Sequence, residues 1–223
     1  LGRIFLESGK YDQGEKLFRK AIKDHKPPKD LFINWMQVEI RLRRFRSALE
    51  SLDLALDLYE NDAELLFRKA SIYASNNNPR EAIKYLEKIR DPAFPQYRKF
   101  VMLGRSYLKM RKNKPAQKAL NKAVKHAPDS QEANYLFGKV LLKNNRVRPA
   151  IKHLKKAISL VEKDKRHNPP QWMSDEHSMI GGAYKEQGRR KEAIHHFRKF
   201  AEMVPAGPLK DEALRLLRTL GAE

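Results

Sequence analysis

The stretch that decides the fold is Tyr97–Ser130, which reads YRKFVMLGRSYLKMRKNKPAQKALNKAVKHAPDS. In its second half the small residue Ala116 is followed after four positions by Leu120, and after three more by Ala123. Spacings of four and seven place these three residues on one stripe of an α-helix. The second half of the stretch therefore predicts a helix with a single apolar face.

This pattern recurs along the whole chain. The interval is 34 residues, except between the last two units, where it is 43. The small residues are Gly14, Ala48, Ala82, Ala116, Ala150 and Ala193; the large ones are Phe18, Leu52, Leu86, Leu120, Leu154 and Phe197; the third positions are Ala21, Ala55, Ile89, Ala123, Ala157 and Phe200. A constant period of this length is typical of repeat proteins.

A second periodic segment lies upstream of each stripe and predicts a partner helix. It is clearest at Leu103, Gly104 and Tyr107. Turn-forming residues such as Gln187–Arg189 separate the two segments and favour a tight connection. Each unit is thus predicted to be a helical hairpin, in which Gly or Ala lets the two backbones approach. Hairpins that stack bury a stripe that no single hairpin buries, so the sequence predicts an all-α solenoid.

Polar residues between the units predict where helices begin. Asn61 precedes Glu64, and Ser130 precedes Glu132. A capping side chain followed by an acidic first turn is typical of a helix N-terminus. We therefore expect first helices to begin at these two positions.

These residues resemble the tetratricopeptide repeat family, most closely over 97–130 and 174–205. The resemblance implies a right-handed superhelical α-solenoid of helical hairpins. Six repeats are expected, at 1–28 (truncated), 29–62, 63–96, 97–130, 131–173 (with an insertion) and 174–205, followed by a capping helix over 206–223. Because Leu1 falls inside the first unit and is not Met, we expect the chain to be part of a longer one.

Two further segments depart from the repeat. The insertion near Glu162–Gln171 is expected to lengthen the second helix of the fifth unit until Pro169-Pro170 ends it; a functional loop there is left open. The last segment carries a stripe that predicts an amphipathic cap, formed by Leu209, Ala213, Leu216, Leu217 and Leu220.

The charge of the chain is strongly positive and unevenly distributed. Lys and Arg number 47 against 27 Asp and Glu, a net charge of +20. Residues 97–130 contribute +9 and residues 131–173 contribute +7. Such a field attracts acidic proteins, nucleic acid or anionic lipid.

The resemblance also implies that first helices line a concave groove. In our register the groove residues of the fourth and fifth units, with one from the third, are Phe67, Arg98, Val101, Arg105, Leu108, Lys109, Tyr135, Lys139, Leu142 and Lys143. This mixture of cations and apolar side chains suits an acidic, partly hydrophobic protein segment. We therefore expect a non-catalytic scaffold or adaptor, as one part of a multiprotein assembly.

Three alternatives remain open at this point. The cations can form a solvated face, or the chain can be a structural spacer within a larger protein. Seven further cations lie off the groove and would serve a phosphate backbone or a broad acidic surface: Lys99, Arg111, Lys112, Lys114, Lys118, Lys122 and Lys125. Against RNA, only Tyr97 and Tyr135 are left in the basic region to stack on bases, since Phe100, Tyr107 and Phe137 are assigned to packing.

The sequence offers no pattern for catalysis, a metal or a cofactor. The chain has no cysteine, His195 and His196 point in different helical directions, and Asp175–His177 reads as the start of a helix. Neither a nucleophile motif nor a phosphate-binding glycine loop occurs. No apolar run approaches the eighteen residues of a membrane span. Without an export signal we expect the cytoplasm, with the periplasm left open.

Overall fold

The computed structural model describes residues 11–24, 27–163 and 172–222. Within these ranges the chain forms twelve α-helices and no β-strand, which confirms the all-α prediction. The chain divides between Pro95 and Gln96 into two compact units. Each unit is described by itself.

The first unit contains two helical hairpins and a preceding helix. Its helices are α1 (Tyr11–Asp24), α2 (Lys29–Arg41), α3 (Phe45–Leu58), α4 (Ala63–Ser75) and α5 (Pro79–Lys88). Helix α2 packs on α3, and α4 packs on α5. The hairpins meet where α3 packs on α4.

The second unit contains three helical hairpins and a terminal helix. Its helices are α6 (Gln96–Lys109), α7 (Asn113–His126), α8 (Gln131–Lys143), α9 (Val147–Lys163), α10 (Trp172–Glu186), α11 (Arg190–Met203) and α12 (Pro208–Thr219). The first helices α6, α8 and α10 contact one another in sequence. They form one layer, and the second helices α7, α9 and α11 pack against it.

The hairpin turns share one backbone conformation. The second residue after the first helix has a positive φ, which is 58° at Arg43, 59° at Asn77, 58° at Arg111, 58° at Asn145 and 71° at Gly188. In each turn the N–H of the next residue donates to the carbonyl five positions earlier, over 2.8 to 2.9 Å. This bond satisfies a carbonyl at the end of the first helix. Because an arginine occupies the left-handed region at a cost, the hairpin imposes this turn on two of the five residues.

Within each hairpin of the second unit, a glycine of the first helix receives the large residue of the second. The side chain of Leu120 fills the space beside Gly104. A Cβ atom at Gly138 would lie 2.6 Å from the Cγ of Leu154, and one at Gly181 would lie 2.7 Å from Phe197. Only glycine therefore allows these helix pairs to approach so closely.

The periodic stripe forms the core, as predicted, with one exception. All six large residues and all six small residues are buried. Of the third positions, Ala21 is exposed, so the prediction for this residue is wrong. The buried face of α1 runs through Gly14 and Phe18 instead.

The helix starts are shifted at one of the two predicted positions. Ser130 caps α8, because its Oγ accepts a hydrogen bond from the N–H of Ala133 over 3.2 Å. Asn61 is not a cap: it has a φ of 57°, and Asp62 accepts the N–H of Leu65 over 3.0 Å. The carboxylate of Asp62, one residue later, therefore caps the start of α4.

The insertion and the C-terminal segment both contain helix. Helix α9 has 17 residues, against 14 in α7, so the insertion begins as helix; its residues 164–171 lie outside the described ranges. Helix α12 packs on α11 through Ala213 and Leu217. The predicted stripe is wrong at Leu209, whose surface is 54% exposed.

Candidate functional site

The outward surface of α6, α8 and α10, which we call the first-helix face, carries nine of the ten predicted binding residues. Their exposure differs widely. Val101 and Tyr135 are buried; Arg98, Leu108, Lys139 and Leu142 are half-buried; Arg105, Lys109 and Lys143 are exposed. The face therefore presents cations to solvent above a mainly buried apolar floor.

The tenth predicted residue, Phe67, does not present a free ring. It is buried in the first unit, and its ring centroid lies 5.3 Å from that of Phe94. The expectation that Phe67 extends an apolar binding strip is wrong, because its side chain is buried by packing inside the first unit.

An ion pair joins α6 to α8 on this face. The guanidinium of Arg105 lies 2.6 Å from a carboxylate oxygen of Glu132. Both side chains remain in contact with water, at 62% and 42% exposure. A solvated pair of this kind contributes about 0 to 1 kcal/mol. Breaking the pair between Arg105 and Glu132 therefore costs little free energy.

An aromatic stack joins α8 to α10. The rings of Tyr135 and Trp172 lie 4.9 Å apart at an angle of 20°. The Nζ of Lys139 donates to the Tyr135 hydroxyl over 3.4 Å and lies 5.5 Å from its ring centroid. Burial raises the pKa of Tyr135 to about 12, and the nearby carboxylates Asp175 and Glu176 act in the same direction. The tyrosine therefore stays neutral, and its ring is not the exposed stacking surface that the sequence suggested.

The sequence reading missed Trp172, because this residue lies next to the irregular insertion and outside the repeat register. The one feature of the sequence that indicates a role for Trp172 is an aromatic residue next to a predicted helix start. The structure places it half-buried at the first turn of α10.

The row of cations ends at α10. The position of Lys139 corresponds, across the interval of 43 residues, to Gly182. Apart from the backbone of α10 and the two neighbours in sequence, no described residue lies within 4 Å of a Cβ atom built there. Asp175, which corresponds to Glu132, is exposed on the same helix. The first-helix face is thus basic over α6 and α8 and open and acidic over α10.

A buried polar cluster lies between α10 and α11. The Nδ1 atoms of His177 and His196 are 3.0 Å apart, so one ring N–H donates to the other ring. Burial lowers the pKa of each histidine to about 4. Glu176, which precedes His177 in sequence, is fully buried, and burial raises its pKa to about 9. The sequence predicted that Asp175–His177 begin this helix. Asp175 is indeed an exposed acid in the first turn, but Glu176 and His177 are buried, so the prediction is wrong for these two residues.

This cluster offers no metal site. In the part of the chain that the structure describes, no three His, Cys, Asp or Glu side chains converge as metal ligands. Nor, within those ranges, is any helix long and apolar enough to cross a membrane.

Hairpins with a common turn, a common small-to-large contact and a layer of first helices define an α-helical repeat protein. Residues 34–98 match the family model described as tetratricopeptide repeat, and residues 75–157 match that of anaphase-promoting complex, cyclosome, subunit 3. The chain belongs to the tetratricopeptide repeat family. Members of this family are generally non-catalytic scaffolds, and membership suggests a role in protein–protein interaction.

Solved structures share the fold. The chain resembles YrrB, a TPR protein described as having an unusual peptide-binding site, with a TM-score of 0.70, 24% identity, and coverage of 89% of this chain and 97% of that one. It also resembles pilF of Pseudomonas aeruginosa, with a TM-score of 0.76, 18% identity, and coverage of 96% and 94%.

Curated relatives match a shorter segment. Sperm-associated antigen 1 of Mus musculus is 32% identical over 88 residues, which is 40% of this chain, and that of Rattus norvegicus matches equally. The matched segment spans only 10% of the length of these relatives.

Proposed function

We propose that the chain is a protein-interaction scaffold whose first-helix face, over α6 and α8, docks an acidic, partly hydrophobic protein segment. The observation that carries the proposal is the group formed by Lys139, Tyr135 and Trp172, with Arg105 on the neighbouring helix. The group combines a rigid aromatic stack with cations at its edge.

The apolar part of this group suits a hydrophobic anchor. Trp172, Leu108 and Leu142 are half-buried, so each keeps some surface for a partner while its conformation is held by packing. Tryptophan, tyrosine and arginine are the residues that most often dominate binding energy at protein interfaces. A leucine or phenylalanine of the partner would bury its side chain against this group.

The charged part suits carboxylates. Among the described residues, Lys139 and Lys143 form no ion pair, and Arg105 has only the solvated pair with Glu132. Cations that are not already neutralised raise the rate of encounter with an acidic segment and fix its direction. The acidic end of α10 at Asp175 would repel the same segment, so the docked carboxylates are expected over α6 and α8.

A peptide is the ligand class that the fold supports best. The description of YrrB assigns a peptide-binding site to a protein with the same fold. The partner itself, an adaptor role in a larger assembly and a cytoplasmic location stay predictions.

The test compares the binding of three kinds of short peptide by calorimetry. The first combines Glu with Leu and Phe, the second replaces each Glu by Lys, and the third replaces each apolar residue by Ser. We expect measurable binding of the first only, and at least about tenfold weaker binding in the variant R105E/K139E/K143E, since reversed charges repel the ligand.

A matched control is available on the opposite side of the hairpins. The variant K118E/K122E/K152E changes the net charge by the same amount on α7 and α9. It should retain peptide affinity within about threefold, because long-range attraction falls off within a Debye length. Equal losses in both variants, or equal binding of the acidic and basic peptides, would refute the first-helix face as the docking site.

A further inference from the structure

The second helices of the second unit carry a recurring row of cations on their outward side. The row occupies three positions spaced by four residues, and Lys or Arg fills all of them except His195: Lys114, Lys118 and Lys122 on α7; Arg148, Lys152 and Lys156 on α9; Lys191, His195 and Lys199 on α11. All are exposed except Lys156, which is half-buried. Positions i, i+4 and i+8 lie on one side of a helix. We call this surface the second-helix face.

The positive charge of this face is least compensated on α7 and α9. Helix α7 contains no Asp or Glu, and α9 contains one, Glu162, near its end. Lys156 pairs with Asp129 over 3.0 Å, and Lys199 pairs with Glu202 over 2.8 Å. Within the described ranges, five of the six row cations on α7 and α9 form no ion pair: Lys114, Lys118, Lys122, Arg148 and Lys152. A solubility device would spread both signs of charge, whereas here one sign recurs at fixed positions.

The second-helix face lacks an apolar anchor. The large apolar side chains that the described residues expose are Leu17, Leu54, Leu58, Tyr97, Leu209 and Leu214, and none of these lies on α7, α9 or α11. Proteins bind one another mainly by burying apolar surface at the centre of the interface. A protein partner is therefore a poor match for this face.

Among the described residues of α7, α9 and α11, no exposed Phe, Tyr or Trp offers a base-stacking platform. Phe100, the aromatic residue of α6 that reaches α7, stacks on His126 at a centroid distance of 5.6 Å. The Nζ of Lys122 lies 5.2 Å from the same ring. Proteins that bind single strands add exposed aromatic rings for the bases, whereas the Phe100 ring is half-buried and stacks on His126.

The remaining match is a regular array of phosphates. Four residues of α-helix advance about 6 Å, so each row presents cations at about that interval. Duplex nucleic acid carries a closely spaced, rigid line of negative charge whose binding depends on cation contacts and counterion release. We propose that the outward rows of α7 and α9 dock the phosphate backbone of double-stranded nucleic acid, by charge and without reading base sequence.

This site is separate from the proposed peptide site, because the two lie on different helices. Its test uses a labelled DNA duplex of about two helical turns, about 20 base pairs, and fluorescence anisotropy. We expect K118E/K122E/K152E to weaken binding at least about tenfold, and R105E/K139E/K143E to weaken it by less than about threefold. Between about 50 and 200 mM salt, the slope of log affinity against log salt should fall by about three in the first variant, because each lost phosphate contact removes close to one.

Circular dichroism of both variants checks that the helices persist. Equal losses in both variants would overturn the site in favour of a general effect of net charge. Polyglutamate that binds as tightly as the duplex, or a single strand that binds more tightly, would overturn the duplex assignment. Failure of the wild-type chain to bind the duplex at about 50 mM salt would overturn the proposal outright, and would leave the peptide assay unaffected.

Discussion

Replacing Glu176 by Gln should remove a large pH dependence from the last hairpin. Glu176 is fully buried, and within the described residues neither of its carboxylate oxygens has a hydrogen-bond partner. Burial raises its pKa from 4.5 to about 9. Between these values the folded chain retains a proton that the unfolded chain has released. The free energy of unfolding therefore falls as the pH rises through this interval.

The size of the effect follows from the interval. One pH unit across which the two states differ by one proton changes stability by about 1.36 kcal/mol. From about pH 5 to about pH 8, the wild-type hairpin should lose about 4 kcal/mol through this carboxyl. Glutamine has nearly the same volume and no charge, so E176Q should lose none of it. The stability difference between the two proteins should widen by about 4 kcal/mol over this interval.

Amide hydrogen exchange with mass spectrometry measures the local free energy of opening. Peptides from α10 and α11 would be compared between wild type and variant at the same pH, where intrinsic exchange rates cancel. The control is E186Q, which removes an exposed carboxylate from the same helix. This variant removes one carboxylate from α10 without changing a buried contact, because the Glu186 side chain is exposed. If the difference between wild type and E176Q is the same at pH 5 and pH 8, the carboxyl is not held neutral and the reasoning fails.

Two further predictions concern the same unit. Burial lowers the pKa of His177 and His196 to about 4, so the unfolded chain binds their protons first and stability falls as the pH drops from 6.5 towards 4. From pH 6.5 to pH 5, hydrogen exchange of α10 should show a loss of about 3 kcal/mol in E176Q and about 1 kcal/mol in wild type, where protonation of the carboxyl opposes the loss. An increase in stability on acidification would contradict the buried neutral pair. Gly138→Ala should destabilise the chain by about 1 to 3 kcal/mol, because the new methyl group would lie 2.6 Å from the side chain of Leu154. Gly182→Ala should stabilise α10 by about 0.5 to 1 kcal/mol, because the space around this position is open and alanine favours the helix. Urea denaturation measures both effects, and equal effects would mean that helix propensity alone decides.

Much of the fold follows from the sequence because the repeat supplies the same information several times. A small residue and a large one recur at a fixed interval, so the helices of an ambiguous unit can be predicted from the positions of the helices in neighbouring units. The hairpin turns illustrate the gain: Asn77 and Gly188 tolerate a positive φ, whereas Arg43 and Arg111 do not favour it. Residue type alone would not have placed the turn at these arginines, but the period does.

The candidate site was harder to predict, because periodicity fixes which side of a helix a residue occupies and not what covers it. Tyr135 and Phe67 lie at expected positions of their helices, yet Trp172 covers one ring and Phe94 the other. Both covering residues lie near irregular segments, where the register gives no guide. The buried pair His177 and His196 was missed for another reason: polar residue types suggest exposure, and only the three-dimensional contact shows that each satisfies the other.

The division of each hairpin into a first and a second helix explains how one chain can present two surfaces with different chemistry. In a repeat protein each hairpin is stabilised by its neighbours through core residues such as Leu120 and Leu154, whereas the outward positions carry little of that energy. Charge at Lys139 on one side and at Lys118 on the other can therefore vary without a cost to the stack. Since the core separates these positions, substitutions on the two faces should have additive effects on stability. If the two triple variants instead showed a strong interaction energy when combined, the faces would share an energetic connection, and neither could be assigned a ligand of its own.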